Sequence, residues 1–231
     1  YGEILMIRKE FYKFKEIYLL FALLICAFLI YFGVKLRANL SQMGGVETNL
    51  IFLFQKGFSF YHITDLNLVF AVSIAVFVFL RERINARLRL SLHFPRSTWA
   101  NIFYIVFTGF CFVVALYIIE ILIFNLIVSN VYAGEIIGVL NCSLLQNFAF
   151  GLVLYLFCAG LIIEPVKKRV AVNFIVMAAC IYLYYEINPD IYALLSFYAN
   201  DFGLFYIILA GIYAANSTAI AFDNYKKGYI R

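Results

Sequence analysis

Glu120 is the residue whose type and setting most invite chemistry. It interrupts an apolar run from Ile102 to Val128, long enough to cross ~30 Å of hydrocarbon at ~1.5 Å per residue. An ionised carboxylate near a bilayer centre costs roughly 3 kcal/mol on insertion scales, so such residues face the protein interior or a cavity. Gly109, Val113 and Phe124 share its helical face and leave room for a close neighbour. Glu120 is thus a candidate pathway residue. Equally, it is a packing carboxylate, protonated or hydrogen-bonded, or one near the outer interface if the helix is shifted.

Other reactive types are less promising. His62 and His93, the only histidines, fall on opposite sides of the membrane in the topology derived below and cannot jointly ligate a haem within one chain. Cys26, Cys111, Cys142, Cys158 and Cys180 show neither CxxC nor metal-ligand spacing. Four of them lie in apolar runs, where cysteine behaves as a small hydrophobe. There is no HExxH, no nucleophile elbow and no GxxxxGK[ST] phosphate loop. The expectation is a protein that is not an enzyme, with no catalytic residue, no metal and no cofactor of its own.

The composition explains where such a chain must live. Of 231 residues, 65% are hydrophobic, 19% aromatic and only 13% charged, and the mean hydropathy is +0.94. A soluble domain carries about 25% charged residues, so the excess apolar surface has to face lipid. The fold class expected is an all-α integral membrane protein with six transmembrane helices in a single domain, residues 1–231. The spans are placed at 17–34, 58–80, 102–128, 143–163, 170–186 and 203–222. Glu164-Pro165 is a helix stop at the end of the fourth. Nothing at the start has the short apolar core and small-residue cleavage site of a signal peptide.

Basic residues orient these spans. Arg8, Lys9, Lys13 and Lys15 precede the first; Arg81, Arg83, Arg87, Arg89 and Arg96 follow the second. Lys167, Lys168 and Arg169 follow the fourth, and Lys226, Lys227 and Arg231 follow the sixth. Six spans place all four segments on one side, fifteen of 18 basic residues. The expected location is a bacterial inner membrane, multi-pass, with both termini cytoplasmic. The net charge of +5 is then topology and does not call for nucleic acid.

Three segments beside the spans are patterned. Ile4, Ile7, Phe11, Phe14 and Tyr18 recur at helical spacing, which predicts an interfacial elbow helix over 1–16. Asn188-Pro189 is a helix start, and Ile191, Leu194, Leu195 and Tyr198 mark one face of an external helix over 188–201. The loop 81–100 carries Ile84, Leu88 and Leu92 at i, i+4 and i+8, then a Pro95 stop and the only Trp, Trp99. It is longer than chain reversal requires, and it is amphipathic enough to lie on headgroups or to bind a partner's groove.

This order of elements resembles the permeases of type II ABC exporters: elbow, six spans, a helical first cytoplasmic loop, and an external helix before the last span. In the loop, Glu82, the run Leu88-Arg89-Leu90-Ser91-Leu92, and Pro95-Arg96-Ser97-Thr98 match the family's pattern. Asn85-Ala86 stands where that family often has Gly-Thr. The resemblance implies that the loop is a coupling helix, with Glu82, Arg83, Arg87, Leu88, Arg89, Leu92 and Pro95 engaging a separate ABC ATPase subunit that binds the ATP. It also implies a pathway between this chain and a second permease copy or a paralogue, and outward transport. Gly211, Ala215 and Ala219 form a small-xxx-small stripe suited to that dimer seam or to packing within the monomer. Two other classes fit the composition: an ATP-independent transporter or channel, and a membrane-embedded scaffold subunit.

Overall fold

Residues 2–55, 61–84, 98–187 and 201–229 are described by a computed structural model, and within them the chain is helical almost throughout. The helices are α1 (Gly2–Met43), α2 (Gly45–Gln55), α3 (Tyr61–Ile84), α4 (Thr98–Val128), α5 (Gly134–Ile163), α6 (Lys167–Ile187) and α7 (Asp201–Tyr229). All except the 11-residue α2 are long and apolar enough to cross a membrane. The breaks fall where chain chemistry demands them. Pro165 separates α5 from α6. Gly44, at φ 80°, adopts the left-handed conformation that lets α1 turn into α2.

The bundle is built around α5. It packs most extensively on α3 and α7, and 72% of its apolar window is buried within the protein, against 6% for α6. Small residues allow this: a Cβ built on Gly160 would lie 3.3 Å from the Thr218 Cα on α7. Facing it, α7 buries Ala210, Ala214 and Ala221. Such close approach is how helices associate where no hydrophobic effect separates them from lipid. Outward faces are apolar instead, with Leu23, Ile30, Leu126, Ile175 and Phe205 all well exposed. This is membrane-type architecture.

Two expectations change, one helix is new and one expected helix is not described. The elbow over 1–16 is not a separate helix: α1 runs unbroken to Met43, and no Gly or Pro occurs between Glu3 and Phe32 to interrupt it. The part of its apolar stripe from Phe11 to Tyr18 faces protein, with Phe11 stacked on Phe112 at 5.0 Å and Phe14 buried beside the same ring. The fourth span starts at Gly134, earlier than Ser143, with Glu135 in the first turn where the helix dipole favours it. Helix α2 was not expected at all; it reaches back across the α4–α5 turn, where Asn49 Nδ2 donates to the Val131 carbonyl at 3.1 Å and Asn49 Oδ1 accepts from the Ala133 N–H at 3.1 Å. The external helix of 188–201 lies outside the described residues except for Asp201, which opens α7.

Candidate functional site

Two polar clusters tie this apolar bundle together, one at the middle of α5 and one at its C-terminal end. The helix ends bearing Arg81 and Arg83, Lys167 to Arg169, and Lys226 and Lys227 define a basic end; the other is the far end.

Toward the far end, four helices contribute to one buried network. Asn67 comes from the second turn of α3, Glu120 and Tyr117 from α4, Asn147 from α5 and Tyr184 from α6. Asn67 is 0% exposed, and Glu120 and Asn147 are each 1% exposed. Asn67 Nδ2 donates to Glu120 Oε1 at 2.9 Å and to Asn147 Oδ1 at 3.4 Å. Asn147 Nδ2 donates in turn to the Thr64 carbonyl and to the Tyr184 hydroxyl, both at 3.3 Å. The Tyr117 hydroxyl donates to the Asn67 carbonyl at 2.9 Å. Beside them the Tyr185 hydroxyl donates to Asp65 Oδ1 at 2.8 Å.

Rings hold these groups in register. Tyr117 stacks on Phe148 at 4.2 Å, and Tyr184 on Phe150 at 4.0 Å. Tyr117 can sit so close to α5 only because position 151 is glycine; a Cβ there would meet the Tyr117 hydroxyl. Each unmet buried polar group costs about 1–3 kcal/mol, so the network fixes both the rotation and the depth of the helices that share it.

At the basic end the tie is Glu164, 1% exposed. Both its oxygens accept from Asn224 Nδ2 of α7, at 3.0 and 3.1 Å, and Oε1 also accepts from the Val166 N–H at 3.2 Å. Arg169 Nε lies 3.8 Å from Oε2. Alongside, Arg83 Nη1 donates to the Ile162 carbonyl at 2.7 Å, a cation on the C-terminal end of α5 where the helix dipole is negative.

Glu120 faces the protein interior, closed off by Asn67 and Tyr117, with Val113 and Phe124 buried on the same face. A cleft of about 360 Å³ lies elsewhere, lined by Gly33, Leu36, Arg37, Leu40, Ile127 and Val131. Glu82 is buried, 3% exposed, and Arg83 is exposed, both in the last turn of α3. Arg87, Leu88, Arg89, Leu92 and Pro95 lie outside the described residues. Within the monomer the packed face of α7 lies one position from the small-residue stripe, whose use as a dimer seam a single chain does not test. Gly211 approaches Val153 of α5, but Ala215 is exposed and Ala219 half-buried, while Ala210, Ala214, Ser217 and Thr218 form the packed face. Among the described residues no three or more His, Cys, Asp or Glu converge to hold a metal ion.

Asn67, Asn147, Tyr184, Glu164 and Asn224 are the residues that sequence reasoning missed. A signal existed for Asn147, an amide in the middle of an apolar run. The fold and its ties define a six-span helical membrane-type protein organised by two buried polar clusters. No family model, curated protein or solved structure matches the chain.

Proposed function

We propose that the chain is the membrane-spanning permease subunit of an ABC exporter in a bacterial inner membrane, with both termini cytoplasmic. It forms the pathway as a dimer with a second copy or a paralogue, and a separate ATPase subunit binds the ATP and drives it. The observation that carries this reading is the footing of the loop 81–100. A loop that receives force must rest on something stiff. Here α3 leads into it with Glu82 buried and Arg83 bonded to the Ile162 carbonyl, at the end of the most buried helix in the protein. A push on the loop therefore enters α3 and α5 together. The exposed face of α6, whose only buried residue is Asn173, leaves room for a second copy or for lipid.

Purification of the tagged chain in mild detergent tests the reading, with a stoichiometric ATP-binding subunit expected to copurify. The double reversal Arg87→Glu with Arg89→Glu should then leave ATP hydrolysis in the purified complex while transport falls at least roughly tenfold, a loss of about 1.4 kcal/mol of coupling. Unchanged transport would refute the docking surface. A second reading, an ATP-independent transporter, is favoured by the burial of Glu120 among four helices; transport by the chain alone in liposomes would establish it.

A further inference from the structure

Glu120 and Asn67 are short of one hydrogen between them. Both Asn67 amide hydrogens are in use, on Glu120 Oε1 and Asn147 Oδ1. Both Asn147 amide hydrogens are in use on Thr64 and Tyr184, and the Tyr117 hydroxyl hydrogen is in use on the Asn67 carbonyl. Two buried atoms are left without a hydrogen-bond partner, Glu120 Oε2 and Asn67 Oδ1. Both are acceptors when the carboxyl is ionised.

Turning the Asn67 amide over does not solve this. Its carbonyl would then face Glu120 Oε1 and Asn147 Oδ1, and two bonds would be lost; the amide orientation is set by the network. Nor, among the described residues, does a neighbouring positive charge compensate a carboxylate. The groups facing Glu120 are Asn67 from α3, Tyr117 from its own helix and, through Asn67, Asn147 and Tyr184 from α5 and α6; α1 brings Phe32 against Phe124. The nearest acid in the network, Asp65, is engaged by Tyr185, and the side chain of His62 lies outside the described residues. Protonating Oε2 cures both defects at once. It turns an acceptor into a donor, and Asn67 Oδ1 sits on the side chain already bonded to the other carboxyl oxygen.

We propose that Glu120 is a one-proton binding site: the neutral acid donates from Oε2 to Asn67 Oδ1 while Oε1 accepts from Asn67 Nδ2, closing a two-bond acid–amide ring between α3 and α4. The proton comes from solvent when the helices are apart. Its loss leaves two acceptors opposed and favours separation of α3 from α4. The site stands apart from any ATPase, so its test and that of the proposed function are independent.

The full chain in lipid nanodiscs carries the experiment. Infrared spectra at neutral pH should show a carboxylic-acid C=O band that is missing from Glu120→Gln and moves in Asn67→Leu. Glu120→Gln copies the neutral ring and should melt with the wild type, whereas Glu120→Ala should melt lower. A carboxylate at neutral pH, as a water or a small cation between Oε2 and Asn67 Oδ1 would produce, overturns the proposal. So does a Glu120→Gln protein that melts as low as Glu120→Ala. If the alanine variant fails to fold, the spectra of the wild type and Glu120→Gln decide alone.

Discussion

Replacing Gly151 by alanine adds one methyl group where the Tyr117 hydroxyl now lies. Tyr117 cannot retreat freely, because it is 3% exposed, stacked on Phe148 at 4.2 Å and bonded to the Asn67 carbonyl at 2.9 Å. Overpacking of this kind costs about 1–3 kcal/mol, and loss of the displaced hydrogen bond adds about 1 kcal/mol. Gly151→Ala should therefore lower stability by about 2–4 kcal/mol. Tyr117→Phe alone should cost about 1 kcal/mol, since it gives up only the hydrogen bond. The informative variant carries both changes. Without the hydroxyl, the new Cβ meets its next neighbours at 3.3 Å, the Tyr117 ring carbon Cζ, and at 3.6 Å, the Ala71 Cβ, a fit that needs little adjustment. The double variant should be more stable than the sum of the singles by at least about 1 kcal/mol, a coupling that only neighbours show. Denaturant titration of the four proteins in mixed micelles measures it. Additive losses would mean that Tyr117 does not lie against position 151, and the packing of α4 on α5 described here would be wrong.

Three further outcomes follow from the same contacts. Gly160→Val should cost about 3 kcal/mol, the upper end for overpacking, because a Cβ there meets the Thr218 Oγ1 at 3.1 Å, itself held on the Leu156 carbonyl, and the Thr218 backbone at 3.3 Å; thermal melting in detergent reads it. Glu164→Ala should cost about 2–3 kcal/mol by stranding Asn224 and the Val166 N–H, whereas Arg169→Ala, which removes a half-exposed partner at 3.8 Å, should cost less than about 1 kcal/mol; equal losses in denaturant titration would contradict the geometry. Tyr132 lies in the turn between α4 and α5, outside the spans, and burial pushes its hydroxyl from 10.0 up to about 12. Its neutral form is thus favoured by folding: that contribution is intact below pH 10.0 and is lost as the pH rises toward about 12. The wild type should lose stability across that window more steeply than Tyr132→Phe, and parallel pH–stability curves would count against burial of this ring.

How much of this was legible in the chain depended on whether the signal was local. The spans were, because six apolar runs and three well-placed prolines mark them without reference to one another. The inward face of Glu120 was legible too, since Gly109, Val113 and Phe124 share it at helical spacing. Its partner was not. Asn67 stands 53 residues away and reads as the polar start of a span, and Glu164 reads as a helix stop while its partner Asn224 lies 60 residues on. Periodicity also failed to choose between Ala214 and Ala215: adjacent positions are only about 100° apart on a helix, and which of them meets α5 is decided by α5. The stripe of Phe11, Phe14 and Tyr18 misled for a related reason. An amphipathic face looks the same in sequence whether it rests on headgroups or on Phe112.

The two polar clusters impose a particular mechanics on this bundle. Between the two clusters the contacts of α5 are mostly rings and methyl groups, such as Phe79 against Tyr155 at 5.8 Å, with the Thr218 hydroxyl on the Leu156 carbonyl as one hydrogen bond among them; the apolar contacts resist separation but only weakly resist sliding or tilting. The hydrogen-bonded ties are directional and tolerate little of either. At the basic end, Arg83 on Ile162 and Glu164 on Asn224 bind α3, α5 and α7 into one body. Toward the far end, α4 joins that body through Glu120 on Asn67, Tyr117 on the Asn67 carbonyl and, lower down, the Tyr155 hydroxyl on the Val106 carbonyl at 3.0 Å. A displacement of α3 against α5 at the basic end therefore breaks the tie of Arg83 to the Ile162 carbonyl. The compliant partner is α4, and among its ties the bond to Glu120 is one that a single proton can remake.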